Sequence, residues 1–488
     1  MAARLRHAAD PCNRPSKCAA AMLTVMGHGR RRSRTLVIGT IADTLGRGIE
    51  SAAQTVSGAF FEPVIRLGVT GLAGAGKTVF ITSLVANLMD RGRMPGLSAA
   101  RSGRIEAAYL QPQPDDTVPR FAFEAHLDAL TGDAPSWPSS TRAVSELRLS
   151  LRVRPRGLLG GLSGARTVHL DIVDYPGEWL LDLGLIDLDY TNWSRQTLAR
   201  ARARPGSDAF FDLLDRTDPT AKLDEAAAQE LAQAWTDHLR AAQAAGFADC
   251  APGRFLLPGD LEGSPALTFA PLPEGAAPRG SLAREFARRY AAYVAQVVKP
   301  FFRAHFSRID RQIVLVDVLG AIDAGPAALG ELRETLTAIL GAFRPGRNAF
   351  LSALIGKRVD RILFAATKAD HLHHGQHDRL EAMMGALVDE ARRRADFAGA
   401  ETRAIALAAL RATVEESRRI DGAETGLVRG RLIETGKTVA LHPGDLPEDP
   451  RALLRGDADA VDWPEGTFGV MRFAPAPLTL RDGNGPPH

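Results

Sequence analysis

Residues 71–78 read Gly71-Leu72-Ala73-Gly74-Ala75-Gly76-Lys77-Thr78, between a short β-rich run, Val64 to Thr70, and a stretch with helical apolar spacing at Ile81, Leu84, Val85 and Leu88. Strand, glycine loop, helix is the context in which G-x-x-x-x-G-K-S/T closes its backbone N–H groups around phosphate oxygens at a helix N-terminus. The pattern assigns phosphate contacts to Gly71, Ala73, Gly74, Ala75, Gly76, Lys77, Thr78 and the following Val79. Lys77 is expected to bridge the β- and γ-phosphates, and the Thr78 hydroxyl to ligate Mg²⁺. Only seven lysines stand against 53 arginines, and two of the seven, Lys77 and Lys368, fall in motifs of this kind.

The order of the remaining elements narrows the fold to an α/β phosphate-loop architecture. Residues 145–153 alternate apolar and polar, and residues 167–173 form a second strand after the Pro/Gly-rich link Pro155 to Gly164, which predicts an antiparallel hairpin. That hairpin in an otherwise parallel sheet is the order of Ras-like GTPases. Asp174-Tyr175-Pro176-Gly177 follows the second strand and has the Asp-x-x-Gly form, in which the carboxylate faces Mg²⁺ and the Gly177 amide senses a γ-phosphate. Asp174 is the expected metal-side carboxylate, with Asp171 second. Asp317, closing the run Ile313 to Asp317, is a weaker acidic candidate. Upstream of the hairpin, Thr141 is the expected threonine ligand to Mg²⁺, with Ser140 the runner-up.

Strand and helix alternate again from Ile313: strand Ile313 to Val318, helix Ala327 to Phe343, strand Arg361 to Ala366, helix Asp378 to Ala395 and strand Thr402 to Ala409. Thr367-Lys368-Ala369-Asp370 follows the middle strand and matches N/T-K-x-D. A carboxylate there accepts both guanine N1–H and the exocyclic amine, so Asp370 would penalise adenine, which presents an acceptor at N1. A further base contact is expected at Ala409, by position alone. Two departures point to slow turnover. Glu178 stands where a water-orienting glutamine is expected, as a base or as a charge repelling the phosphate. Ala73 places a methyl where an incoming arginine would need room.

The segments VTGLAGAGKTVFITSL, DYPGEW, RQIVLVD and FAATKADHL, with WPSST (137–141) and PGRFLLPGDLEGSPALTFAPL (252–272), resemble the YcjX family of P-loop NTPases across most of residues 35–475. The resemblance implies a cytosolic, stress-associated nucleoside triphosphatase with a helical insert, GTP/GDP as substrate and product, Mg²⁺ as cofactor, and Lys77, Asp174 and Glu178 at the reaction centre.

The chain is expected to divide into a basic extension (1–34), an amphipathic helix (35–62), a first nucleotide-domain part (63–178), a mainly helical insert (179–310), a second nucleotide-domain part (311–420) and a turn-rich end (421–488). The extension carries seven Arg and Lys17 against Asp10, leaving −4 for the rest of a chain whose total is +3. The basic character is thus a property of the tail, which argues against a nucleic-acid-binding body. The tail suits either a transit peptide or a start at Met22 or Met26. Three cysteines form no disulfide framework, and no run of 18 apolar residues occurs, so a cytoplasmic protein is expected. A peripheral membrane contact through 36–61 is a variant of that reading. A protein partner is expected at the switch segments or the insert. Rivals are a P-loop ATPase or small-molecule kinase, and a nucleotide-gated scaffold without turnover. His371, His373, His374 and His377 cluster after the TKAD element but lack a patterned metal-ligand partner.

Overall fold

A computed structural model describes residues 62–72, 74–90, 97–139, 143–155, 164–305, 308–342, 361–397, 401–420, 422–454 and 472–476. The basic extension 1–34 and, apart from Glu62, the expected amphipathic helix lie outside these residues.

The centre is a sheet of seven strands: β1 (Val64–Gly71), β2 (Ile105–Gln111), β3 (Ser145–Val153), β4 (Arg166–Asp174), β5 (Arg311–Val316), β6 (Arg361–Ala366) and β7 (Glu401–Ala406). Their spatial order is β2-β3-β4-β1-β5-β6-β7. From β4 to β7 all neighbours are parallel, while β3 runs antiparallel to β4 with Leu149 opposite Leu170. The expected hairpin is therefore present. Beyond it the sheet gains β2, antiparallel to β3, which sequence analysis did not assign. The reason is visible in its composition: of Ile-Glu-Ala-Ala-Tyr-Leu-Gln only Ile105 is fully buried, so no period-2 apolar signal exists.

Side-chain alternation splits each inner strand between two layers. Ile65, Leu67 and Val69 of β1, with Ile313 and Leu315 of β5, pack against Phe80, Ile81, Leu84, Val85 and Leu88 of α1 (Lys77–Met89), and Leu130 of α2 (Phe123–Thr131) joins them. The opposite face presents Val314, Val316, Ile362 and Phe364 to a larger core. That core is built from the insert helices α3 (Tyr190–Ala201), α4 (Asp208–Asp215), α5 (Glu225–Ala244) and α6 (Leu282–Tyr293), together with α7 (Pro326–Ala342) and α8 (His377–Phe397). These helices thus share one continuous core with a face of the seven-stranded sheet. Its centre is aromatic: Trp193 stacks on Tyr290 at 5.0 Å between centroids, and Phe269 meets both edge-on.

After β7 the chain forms a second, three-stranded antiparallel sheet, β8 (Thr413–Ile420), β9 (Ala423–Arg431) and β10 (Thr438–Leu441). The segment from 421, expected to be turn-rich, contains β9 and β10. β8, which ends just before it, leaves no hydrophobic pattern because it carries Glu415, Glu416, Arg418 and Arg419 and buries little beyond Thr413. Trp137 Nε1 donates to the Phe473 carbonyl at 2.8 Å, tying the approach to β3 to this sheet.

Candidate functional site

The loop leaving β1 takes up the nest geometry that its glycines permit. Gly74 and Gly76 have φ of 71° and 76°, and Gly76 caps α1, whose first turn holds no acidic residue. Left-handed backbone at both positions folds the loop back on itself, with Ala75 N donating to the Leu72 carbonyl at 3.1 Å, and the helix dipole adds positive potential at the start of α1. Lys77 Nζ donates to the Gly71 carbonyl at 3.1 Å, so its ammonium rests on the loop itself. Thr78 is buried on the first turn, and Val79 packs partly into the α1 core.

Asp174 ends β4 in register with Val69 of β1, on the same sheet margin as the loop, and is 1% exposed. Three residues on, Gly177 lies against the loop backbone: a Cβ there would fall 1.8 Å from the Gly71 oxygen and 3.0 Å from Leu72 N. Tyr175, between them, is fully buried and its hydroxyl donates to Gln312 Oε1 at 2.7 Å.

Asp171 is placed elsewhere. It pairs bidentately with Arg148 at 2.7 and 2.8 Å, with Arg66 at 4.0 Å, in a cross-strand row whose arginines are part-exposed. Its carboxylate is consumed by two guanidiniums, which removes it as a second metal ligand.

Glu178 turns toward the insert. Gln243 Nε2 of α5 approaches its Oε1 at 3.4 Å, and its buried Oε2 has no hydrogen-bond partner among the described residues. The next residue, Trp179, carries the Arg254 guanidinium over its ring at 3.2 Å, a cation–π contact, and donates Nε1 to the Leu257 carbonyl. Gly253 abuts the Glu178 backbone so closely that a Cβ would lie 2.0 Å from its oxygen. The Asp-x-x-Gly segment is therefore clasped between the phosphate loop on one side and the Gly253–Arg254 turn on the other.

The TKAD turn sits where β6 ends. Thr367 N bonds to the Val316 carbonyl, and Lys368 adopts φ 59°, the one positive φ at a non-glycine residue among those described. Such strain at a side-chain position marks a turn held in place by its surroundings. Lys368 Nζ forms an ion pair with Asp317 Oδ2, while Asp317 Oδ1 accepts from Gly320 N. A Cβ on Gly74 would come within 3.9 Å of the same Asp317 oxygen, so the Lys368–Asp317 pair lies close to the phosphate loop. Asp370 is 2% exposed; its Oδ2 accepts from Ala412 N at 2.8 Å and its carbonyl from the Thr413 hydroxyl.

Ala409 lies in the β7–β8 connection. That connection meets the turn through residues on either side of it, Leu407, whose carbonyl accepts from Ala369 N, and Ala412. Ala73, Thr141 and Ser140 lie outside the described residues.

Sequence reasoning missed Gln243, Gly253 and Arg254 as neighbours of the Asp-x-x-Gly segment. Gly253 and Arg254 fall in the 252–272 run that carries the family resemblance, over 70 residues from the Asp-x-x-Gly segment, and nothing in their spacing points to that contact. Trp193 and Trp235 are core residues.

Residues 65–488 match the family described as YcjX-like family, DUF463. The chain is similar to a protein named Ras-like GTPase YcjX from Escherichia coli (strain K12), 37% identical over 426 residues, which cover 84% of this chain and 90% of that relative. A protein of the same name from Shewanella oneidensis is 34% identical over 443 residues, 86% of this chain and 90% of the relative.

Proposed function

The chain belongs to the YcjX-like family, and from that membership we propose that it binds GTP and GDP with Mg²⁺, hydrolyses GTP slowly and acts as a nucleotide-dependent switch. The observation that carries the reading is the contact of Gly177 with Gly71, which joins the Asp-x-x-Gly segment to the phosphate loop.

The donors at this margin, the Thr78 hydroxyl and the Asp174 carboxylate, are hard oxygen groups of the kind Mg²⁺ takes. Thr78 and Asp174 would hold the ion, with Thr141 as a third candidate, and when bound it neutralises charge on the phosphate oxygens. Backbone N–H groups from Gly74 to Thr78 orient the phosphates. Lys77 exchanges its Gly71 carbonyl for phosphate oxygens and stabilises the charge that develops as water attacks the γ-phosphate in line.

Asp370 supports guanine over adenine, held rigid by Ala412 and Thr413 beside Lys368. Slow turnover is supported by the engagement of Glu178 with Gln243, which leaves water positioning to the backbone until that contact opens. A γ-phosphate that displaces Gly177 must also displace Glu178 and the Gly253 turn, so the insert is the surface on which a protein partner would read the nucleotide state. No described helix is long and apolar enough to cross a membrane. We place the protein in the cytoplasm, with a stress-associated role as the family resemblance implies and a peripheral membrane contact as a variant.

Calorimetric titration of nucleotide-free protein with GDP and with ADP, each with Mg²⁺, tests the reading. Preference for GDP by more than about tenfold, roughly 1.4 kcal/mol, supports it, and equal affinity overturns the guanine assignment.

A further inference from the structure

The four histidines after TKAD separate in the structure. His371 stacks edge-on against Phe473 at 5.2 Å, and His377 Nε2 is occupied by the Leu372 carbonyl at 3.2 Å. His373 and His374 instead face β8 of the small sheet, where Glu415 supplies the partner that the sequence pattern lacked. One ligand atom from each of His373, His374 and Glu415 lies within 4.8 Å of the others. His374 Nδ1 already meets Glu415 Oε2 at 2.7 Å, and the two imidazoles are 4.2 Å apart between centroids.

We propose that His373, His374 and Glu415 form a site for a borderline divalent cation of the Zn²⁺ class, which clamps the TKAD turn to the small sheet. Two imidazole nitrogens and one carboxylate oxygen are the donor set of three-ligand zinc centres, which leave one position open to water. Imidazole selects zinc, cobalt and nickel over magnesium and calcium.

The surroundings are built for the ligands. Glu415 Oε1 is held by Arg411 Nη2 at 2.5 Å, an outer-shell partner that fixes the carboxylate and leaves Oε2 for the metal. Gly426 of β9 makes room for the His373 ring: a Cβ there would fall 2.6 Å from His373 Cγ.

The site joins the two segments that already meet at Asp370, three residues before His373, through Ala412 and Thr413 of the β8 approach. Occupancy would add a cross-link to that contact. This does not depend on which nucleotide the chain binds.

The test uses the full chain without an affinity tag or nucleotide. Co²⁺ is titrated while the visible d–d bands are recorded, and Zn²⁺ then competes. The expected result is one Co²⁺ per chain with bands of four- or five-coordinate geometry, displaced stoichiometrically by Zn²⁺. In His373→Ala and His374→Ala the affinity of this site falls at least tenfold with an unchanged circular dichroism spectrum. Glu415→Gln keeps the side-chain volume and should give the same loss with altered bands. Absence of the bands in the wild type, or their persistence in both histidine variants, overturns the proposal.

Discussion

Gly177 lies directly on the carbonyl of Gly71, with no room for a side chain between them. Two motifs a hundred residues apart thus form one backbone surface, and movement of either is transmitted to the other by contact. Gly177→Ala must push the loop or the Asp-x-x-Gly segment aside, at an overpacking cost of about 1–3 kcal/mol. The variant should bind GDP at least tenfold more weakly and unfold at lower temperature, measured by calorimetry and thermal melting. Unchanged affinity would show that the two segments move independently.

Asp370→Ala should reduce the ratio of GDP to ADP affinity to below about threefold. It also strands the buried Ala412 N–H, at about 1–3 kcal/mol. Base preference and stability are therefore read separately, by nucleotide titration and by urea unfolding. A variant that loses stability and keeps its guanine preference would reduce Asp370 to a brace for the β7–β8 connection.

Glu178→Gln is expected to change the rate of phosphate release by less than about threefold, because the carboxylate is turned to Gln243. A hundredfold loss, about 2.7 kcal/mol of transition-state stabilisation, would identify the group as the base that activates water.

Asp182 is buried among the helices that follow Glu178, accepting from the Tyr293 hydroxyl at 2.5 Å and from Gly253 N at 2.7 Å. Burial pushes its pKa up to about 7, against the lowering effect of those bonds. Between about pH 4 and 7 the folded chain keeps a proton that the unfolded chain has released, so this group makes stability fall as pH rises through that window. Asp182→Asn retains an acceptor for Gly253 and removes the titration. In urea unfolding the variant should gain on the wild type from pH 5 to pH 8; a constant difference between the two would refute the assignment.

The nucleotide half of the fold is legible from residues because it obeys local rules: alternation in β3 and β4, a glycine nest before α1, and an Asp or TKAD turn where a buried strand ends. Strands β2 and β8 were not legible, since Ile105–Gln111 and Thr413–Ile420 bury too little to leave an apolar period. The phosphate loop could be located by pattern, yet the orientation of Glu178 could not, because it depends on Gln243 and Gly253, 65 and 75 residues away along the chain. Asp171 and Asp174 look alike in sequence, three positions apart on one strand. Only the presence of Arg148 and Arg66 across the sheet separates an ion-paired carboxylate from one at the site's margin.

Strand β2 also changes what another molecule can do to this protein. A bare sheet edge is an invitation to intermolecular pairing, because its unused N–H and C=O groups recruit an incoming strand. Here the chain has lined the outer side of β3 with a strand of its own, so β3, the first strand of the hairpin that leads to Asp174, is closed to such capture. An intruding strand would meet Ile105–Gln111 instead, one strand further from the nucleotide chemistry. Strand addition at this margin would therefore pair with β2 and leave the β3–β4 hairpin that carries Asp174 untouched.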